Sequence, residues 1–415
     1  MCLGSWHPAI LSSIRTNSVT KVLKEPIEVD DEVRLILGAT VHGGHSIAHP
    51  LGHTAFVRHG LEGEDVTIRI TEVRSKFVRA DVIEVHVASP FRVQAPCSWA
   101  RSFGCGGCDF QHVDVDHQRT IKGAIARESI QRQAGIDLGE LIAAPLGDFE
   151  GLGWRTRMRW TVDGSGQAGM LGFRSHGVLP VDVCLLATDA ITQANITDQD
   201  WSGAQSIHVS EDSHGNVSVW ADRELVRGPR KSTQTVRDRT WQIESTGFWQ
   251  VHPQAAESIV DHVLDFGAPQ VGEHWLDLYS GAGLISAFLG ERVGITGKVT
   301  AVESYRSAVR DAKRALADLH QVSFVDADVE QWKFPERADG IVLDPPRRGA
   351  GIAVMNAVAK VAPRVVVYVA CDPVAFARDA AVLLGHGYTL TSFVVLDAFP
   401  MTSHMECIAR FEPTP

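Results

Sequence analysis

The stretch Leu276 to Ser286, LDLYSGAGLIS, starts as an apolar strand, breaks at two glycines and resumes as a second apolar run. Gly281 and Gly283 allow the backbone to turn tightly toward a ligand at the mouth of a sheet. The next strand-like run, TAVE (300–303), ends in Glu303, twenty positions beyond Gly283. An acid at that place can accept hydrogen bonds from ribose hydroxyls. The pair fits both NAD and S-adenosylmethionine. Outward from it, the apolar runs EHWLDLYS, GKVTAVE, VSFVDAD, DGIVLD and RVVVYVAC alternate with helical stretches such as 304–319 and 373–384. Such alternation predicts a doubly wound, mostly parallel α/β sheet over residues 246–415. The closing runs TLTSFVVLDAF and MECIARF have no helix between them, which predicts an antiparallel hairpin at the sheet edge.

Upstream, residues 31–86 read as short strands with glycine breaks, a pattern that predicts a small barrel of five or so strands within a unit spanning 26–90. Residues 1–25 read as a loose extension, without the basic start and long apolar core of a signal peptide. The unit 91–245 opens on the cysteine-rich stretch CSWARSFGCGGCDFQH (97–112). Asp114 and Asp116 can cap a helix that Gly135 stops, and this helix is expected to pack on the last domain. From Trp154 to Glu244 the chain is strand-rich again.

No apolar run reaches the roughly 18 residues of a membrane span. Seven cysteines, unevenly spaced in 415 residues, argue against a disulfide framework and for a reducing cytoplasm. The net charge of −11 argues against indiscriminate nucleic-acid binding but leaves room for a local basic surface. The basic runs WRTRMRW (154–160) and RELVRGPRKSTQTVRDR (223–239) are the candidates. Two later strands end in polar residues at the carboxyl edge where ligands bind: VLDPPRRG (342–349) and YVACDP (368–373). On its own, Cys371 there reads equally as a small buried hydrophobe.

Taken in order, FWQVHP, LDLYSGAG, AVE, LDPPRRG, VYVACDP and LDAFPMTSHMECIARF resemble the signature series of the uracil-5 RNA methyltransferases. Residues 31–86 look like that family's TRAM domain, and CGGCDFQH looks like its iron–sulfur segment. The resemblance covers nearly the whole chain. It implies a class I (Rossmann-like) methyltransferase domain preceded by an OB-like RNA-binding barrel and a β-rich central iron–sulfur domain.

The activity implied is transfer of a methyl group from S-adenosylmethionine to carbon 5 of a uridine in RNA, in the cytoplasm and with no obligate protein partner evident. Cys371 matches the family's nucleophile and Glu406 its general base. Gln250, Tyr279, Glu303 and Asp344 match donor-binding positions, and Asp328 stands where an acceptor for the adenine amine is expected. Cys184, in PVDVCLL, matches a distant fourth ligand, so the metal set becomes Cys97, Cys105, Cys108 and Cys184. Four thiolates alone suit zinc or an iron–sulfur cluster; the resemblance favours a 4Fe-4S cluster. Departures are Ala370 and Asp372 around the nucleophile, His252 near Gln250, Ser280 in the glycine loop, and seven residues between Cys97 and Cys105. The barrel and cluster segment are more typical of enzymes acting on 23S ribosomal RNA than on transfer RNA. A transfer-RNA enzyme and a noncatalytic RNA-binding protein are the competing readings.

Overall fold

The computed structural model of the chain describes residues 26–147 and 150–414; the expected extension over 1–25 lies outside them. The first sheet holds β1 (Glu32–Ile36), β2 (Thr40–Val41), β3 (His45–Ala48), β4 (Thr54–Arg58), β5 (Asp65–Val73) and β6 (Phe77–Val87) in the order β1-β5-β6-β4-β3-β2. It has six strands, against the five or so expected, and β2 has only two residues. Alternation along β5 turns Val66, Ile68 and Ile70 into a core with Val33, Val57 and Val78. In the turn between β2 and β3, Gly44 lies close against Asp109 and Ser403.

Helix α1 (Val115–Ala134) begins where Asp114 accepts from the backbone N–H groups of Asp116 and His117, and ends at Gly135 with φ of 70°. It packs on the last domain, as its neighbours there show. Lys122 Nζ donates to Asp397 Oδ1 at 2.5 Å, and Gln118 exchanges hydrogen bonds with Met401. Gly123 permits a close approach: a Cβ there would stand 1.9 Å from the Leu141 carbonyl oxygen. The short β7 (Ala144–Pro145) then joins the edge of the C-terminal sheet.

A second six-stranded sheet follows, of β8 (Arg157–Val162), β9 (Ala168–Leu171), β10 (Val178–Leu179), β11 (Ser206–Glu211), β12 (Val217–Ala221) and β13 (Glu224–Arg227), with α2 (Asp189–Thr192) before β11. The hairpin β14 (Lys231–Val236) and β15 (Arg239–Glu244) leads out of it.

The C-terminal domain contains α3 (Ala255–Gly267), β16 (His274–Leu278), α4 (Leu284–Val293), β17 (Lys298–Glu303), α5 (Arg306–Ala315), β18 (Val322–Asp326), β19 (Gly340–Leu343), α6 (Ile352–Val361), β20 (Val365–Ala370), α7 (Pro373–Gly385), β21 (Tyr388–Asp397) and β22 (Glu406–Pro413). Its sheet order is β18-β17-β16-β19-β20-β22-β21-β7. β16 to β20 run parallel, and β21 and β22 form the antiparallel hairpin expected. Apolar side chains cover both faces, with α1, α6 and α7 over one and α3 and α4 over the other. The strand order reverses at β16, so the glycine loop after it stands at the topological switch point. No helix among the described residues is long and apolar enough to cross a membrane.

Candidate active site

Strand register places the two reactive groups side by side. Ala370, the last residue of β20, pairs with Cys407 near the start of β22. Cys371 and Glu406 therefore stand at adjacent ends of neighbouring antiparallel strands. Asp344 leaves β19, the neighbour of β20 on the other side. Glu406 is 4% exposed. Burial, reinforced by Asp344, holds its carboxyl well above the usual carboxylate range, while Arg347 opposes the shift. Burial likewise raises Asp344 to about 7. The Cys371 thiol is pushed up to about 12 by burial, then by the charges of Glu406 and Asp344, with Asp372 adding to the rise and Arg347 opposing it.

Asp372 shapes this loop from two sides. Its Oδ1 accepts from the N–H groups of Val374 at 3.0 Å and Ala375 at 2.8 Å, capping α7. Its Oδ2 lies 3.0 Å from Nε2 of His42, in the turn between β2 and β3 of the first sheet. Asp379 fixes the loop after β19: its Oδ2 accepts from Ala350 N at 2.7 Å, Gly351 N at 3.1 Å and the Tyr368 hydroxyl at 2.7 Å.

The glycine loop is preorganised in the same way. Glu303 Oε2 accepts from Gly281 N at 2.9 Å and Oε1 from Tyr305 N at 2.7 Å. Gly281 has a φ of 54° and no heavy atom within 4 Å of the position a Cβ would take, so the space above it is open. Tyr279 also sits in the left-handed region, with φ of 64°. Asp277, which sequence reading did not single out, is buried beneath the loop, accepts from Ser286 Oγ and is raised to about 7 by burial. Gln250 is half-buried in the segment before α3, whereas Asp328 is exposed just beyond β18, its Oδ1 accepting from Glu330 N. His252, beside Gln250, is buried and stacks on Trp154.

The cysteines of the predicted metal set influence one another electrostatically in pairs. None is in a disulfide. Cys105 lies within electrostatic reach of Cys97 and Cys184, and Cys108 within reach of Cys105 and Cys184. Gly107 N points at Cys105 Sγ at 3.4 Å. Gln111 donates from Nε2 to Cys108 Sγ at 3.2 Å, and its Oε1 accepts from Cys97 N at 3.0 Å. Among the described residues no three or more His, Cys, Asp or Glu side chains are gathered so as to hold a metal ion.

The basic runs fare differently from expectation. Lys231 pairs with Asp311, Arg237 with Asp261, and Arg239 with Glu291 and Asp318. Arg157 donates to the carbonyls of Ser245 and Gly247. These cations knit the hairpin and second sheet to the C-terminal domain, while Arg159, Arg223, Arg227, Arg230 and Arg237 remain exposed.

Comparison with known proteins agrees with this architecture. Family models match for tRNA (Uracil-5-)-methyltransferase over residues 325–412, for the TRAM domain over 31–83, and for the methyltransferase small domain over 257–366. An uncharacterized RNA methyltransferase of Streptomyces coelicolor is 36% identical over 97% of each chain. The 23S rRNA (uracil(1939)-C(5))-methyltransferase RlmD of Pseudomonas aeruginosa is 33% identical, over 93% of this chain and 95% of its own. The crystal structure of Pyrococcus abyssi tRNA (uracil-54, C5)-methyltransferase, in complex with S-adenosyl-L-homocysteine, superimposes with a TM-score of 0.69 at 21% identity, covering 91% of this chain and 99% of that one. The last likeness bears on the fold; the near-full-length identity to the bacterial relatives decides the family. The chain belongs to the uracil-5 RNA methyltransferases.

Proposed function

We propose that the chain methylates carbon 5 of a uridine in 23S ribosomal RNA, using S-adenosylmethionine and a covalent adduct between Cys371 and carbon 6. The observation that carries this reading is the strand register that sets Cys371 beside Glu406. Carbon 5 of uracil is a weak nucleophile. Cys371 first gives up its thiol proton to solvent; bond formation between its Sγ and carbon 6 then moves the ring π electrons into an enolate, with negative charge developing at carbon 5. The donor, when bound, supplies an electrophilic methyl group on a cationic sulfur. Once the methyl is on carbon 5, Glu406 takes the carbon-5 proton; the electron pair restores the double bond and expels the Cys371 thiolate. Glu406 must be ionised to take this proton; in that form, the burial that raises its proton affinity makes it the stronger base.

Around the donor, Glu303 would receive the ribose hydroxyls at the open face of Gly281. Tyr279, Gln250 and Asp344 would line the remainder, and Asp328 would accept from the adenine amine. The open space above Gly281 fits such a ligand. The ribosomal target is supported by the barrel, by the cysteine segment and by the Pseudomonas relative's substrate. Target extrusion from its stack is required, because carbon 6 must be attacked from the ring face.

Glu406→Gln keeps size and hydrogen bonding while removing the base. With donor labelled in the methyl group, this variant is expected to give a labelled, slow-migrating protein–RNA band on a denaturing gel, absent when Cys371 is also changed to Ala. Free methylated RNA released at the wild-type rate would show that another group takes the proton. Loss of 5-methyluridine from transfer RNA alone on gene deletion would replace the ribosomal target.

Cys97, Cys105, Cys108 and Cys184 hold a 4Fe-4S cluster in this reading. Their chemistry fits: four free thiols, with N–H donors from Gly107 and Gln111 of the kind that stabilise cluster sulfurs. Protein purified without oxygen is expected to be brown and to contain about four irons per chain. Colourless protein with one zinc would overturn the assignment.

A further inference from the structure

A second cleft, of about 490 Å³, opens between the first sheet and the cysteine loop. Its lining includes Arg58, Arg74, Arg79, Arg174, Phe103 and Phe173, with Glu72 and Asp81 as the opposing acids. Four guanidinium groups against two carboxyls leave the cleft net positive. Glu72 is already engaged by Arg74 and Arg79, and more distantly by Arg174 at 3.9 Å. Asp81 accepts from Phe103 N at 3.3 Å.

Arg58 is the unusual member. It is 3% exposed, and its guanidinium lies 3.5 Å from the centroid of the Phe173 ring. That stack satisfies one face of the group but none of its N–H donors. Nη1 and Nη2 are both buried without a hydrogen-bond partner among the described residues. Leaving two such donors unpaired is costly unless a ligand completes them. At the rim, Phe103 leaves 57% of its surface exposed beside these cations. An exposed aromatic ring next to arginines is the combination that holds single-stranded nucleic acid, by base stacking and phosphate contact.

The cleft is also joined to the active site. His45 packs on Phe173 at 6.2 Å between ring centroids and approaches Arg79 Nη1 at 3.5 Å. Three residues earlier in the same turn, His42 pairs with Asp372, the neighbour of Cys371. Three residues of chain span on the order of 10 Å. A strand whose target base enters at Cys371 can therefore lay a flanking nucleotide into the cleft.

We propose that this cleft is an RNA subsite, which takes a nucleotide flanking the target uridine: its phosphodiester on Arg58 and Arg174, and its base on Phe103. The proposal rests on RNA being the substrate and not on which RNA. The test uses the full chain and RNA from cells lacking the gene, which contains the unmodified target whether ribosomal or transfer. Phe103→Ala, at an exposed position, is expected to raise the KM for RNA roughly 5- to 150-fold, the range for loss of one stacked base. kcat at saturating RNA should stay unchanged, as should S-adenosylhomocysteine binding. Arg174→Ala should raise KM and lower the slope of log KM against log salt by about one. Arg58→Met keeps the stem packed and should raise KM in the same way. Benzoylphenylalanine placed at 103 should crosslink to methylated RNA close to the modified uridine. Wild-type KM and salt slope for Phe103→Ala and Arg174→Ala, with no crosslink, would overturn the subsite. Failure of the ribosomal assignment would instead show as label in transfer RNA, with the variants' effects read there.

Discussion

At Cys371 the free chain holds its proposed nucleophile in reserve. A thiol becomes reactive when its surroundings favour the thiolate, yet burial and three carboxyl neighbours push this one up to about 12. Arg347 is the neighbouring cation that pulls the other way. The neutral thiol therefore dominates at physiological pH, and the thiolate fraction rises about tenfold per pH unit below the thiol's pKa. Alkylation of Cys371 by iodoacetamide, followed by mass spectrometry, is expected to be slow at pH 7 and to climb steadily through pH 10. Asp372→Asn removes one opposing charge while keeping the α7 cap, since asparagine caps as well as aspartate. It should speed alkylation several-fold, and Arg347→Met should slow it. Equal rates in all three proteins would mean that these charges do not govern the thiol. Faster alkylation of Asp372→Asn would make the aspartate at 372, a departure from the family pattern, a brake on ionisation as well as a helix cap.

Secondary elements carry the next layer, and here the sequence was legible unevenly. Parallel strands, the terminal hairpin and the Asp114–Gly135 limits of α1 follow from apolar periodicity and capping chemistry, which are local. The docking surface of α1 does not. Its sequence is polar nearly all round, and Lys122 reads as a solvated cation, yet it is fully buried against Asp397. That information lies in Asp397 and Phe399, 275 and 277 positions away. The same holds for His42 and Asp372, and for the arginines of 223–239, whose partners lie on other elements. Cys371 and Glu406 were found through motif order; their adjacency comes from β20–β22 pairing, which no local pattern encodes. Because Asp397 is 0% exposed, removing its partner leaves an uncompensated buried charge. Lys122→Met is expected to cost about 3 kcal/mol, the lower end of the usual range, since Arg119 still approaches Asp397 at 3.5 Å. Adding Asp397→Asn should recover part of the loss in thermal midpoint, because a buried amide costs less than a buried carboxylate. An unchanged midpoint for Lys122→Met alone would show that water reaches the pair.

Across the whole molecule, residues 102–118 touch both six-stranded sheets and the loop between β21 and β22. Ser102 donates to the Val82 carbonyl, and Phe103 N to Asp81, in the first sheet. Gly106 N donates to the Leu171 carbonyl, and Phe173 N to Gly104, in the second. Asp109 N and Phe110 N both donate to Met401 O, and Ser403 N to Asp109 Oδ2, in the loop between β21 and β22. That loop leads directly into Glu406. A segment so rich in glycine has little apolar surface with which to fix its own shape. A cluster bound by its cysteines would supply the missing constraint, because metal binding to a site absent from the unfolded chain contributes to folding. Under the proposed reading the cluster would hold the barrel, the proposed RNA cleft and the β21–β22 loop in one register. Removing it, by chelation under mild oxidation or by Cys108→Ser, should open the 97–112 segment to limited proteolysis. RNA affinity should fall with it, whereas S-adenosylhomocysteine, bound at the β16 loop within the C-terminal sheet, should bind as before. Joint loss of both ligands would mean that the cluster supports the C-terminal fold itself. Retention of RNA affinity after complete iron loss would mean that the hydrogen bonds of 102–118 suffice without it.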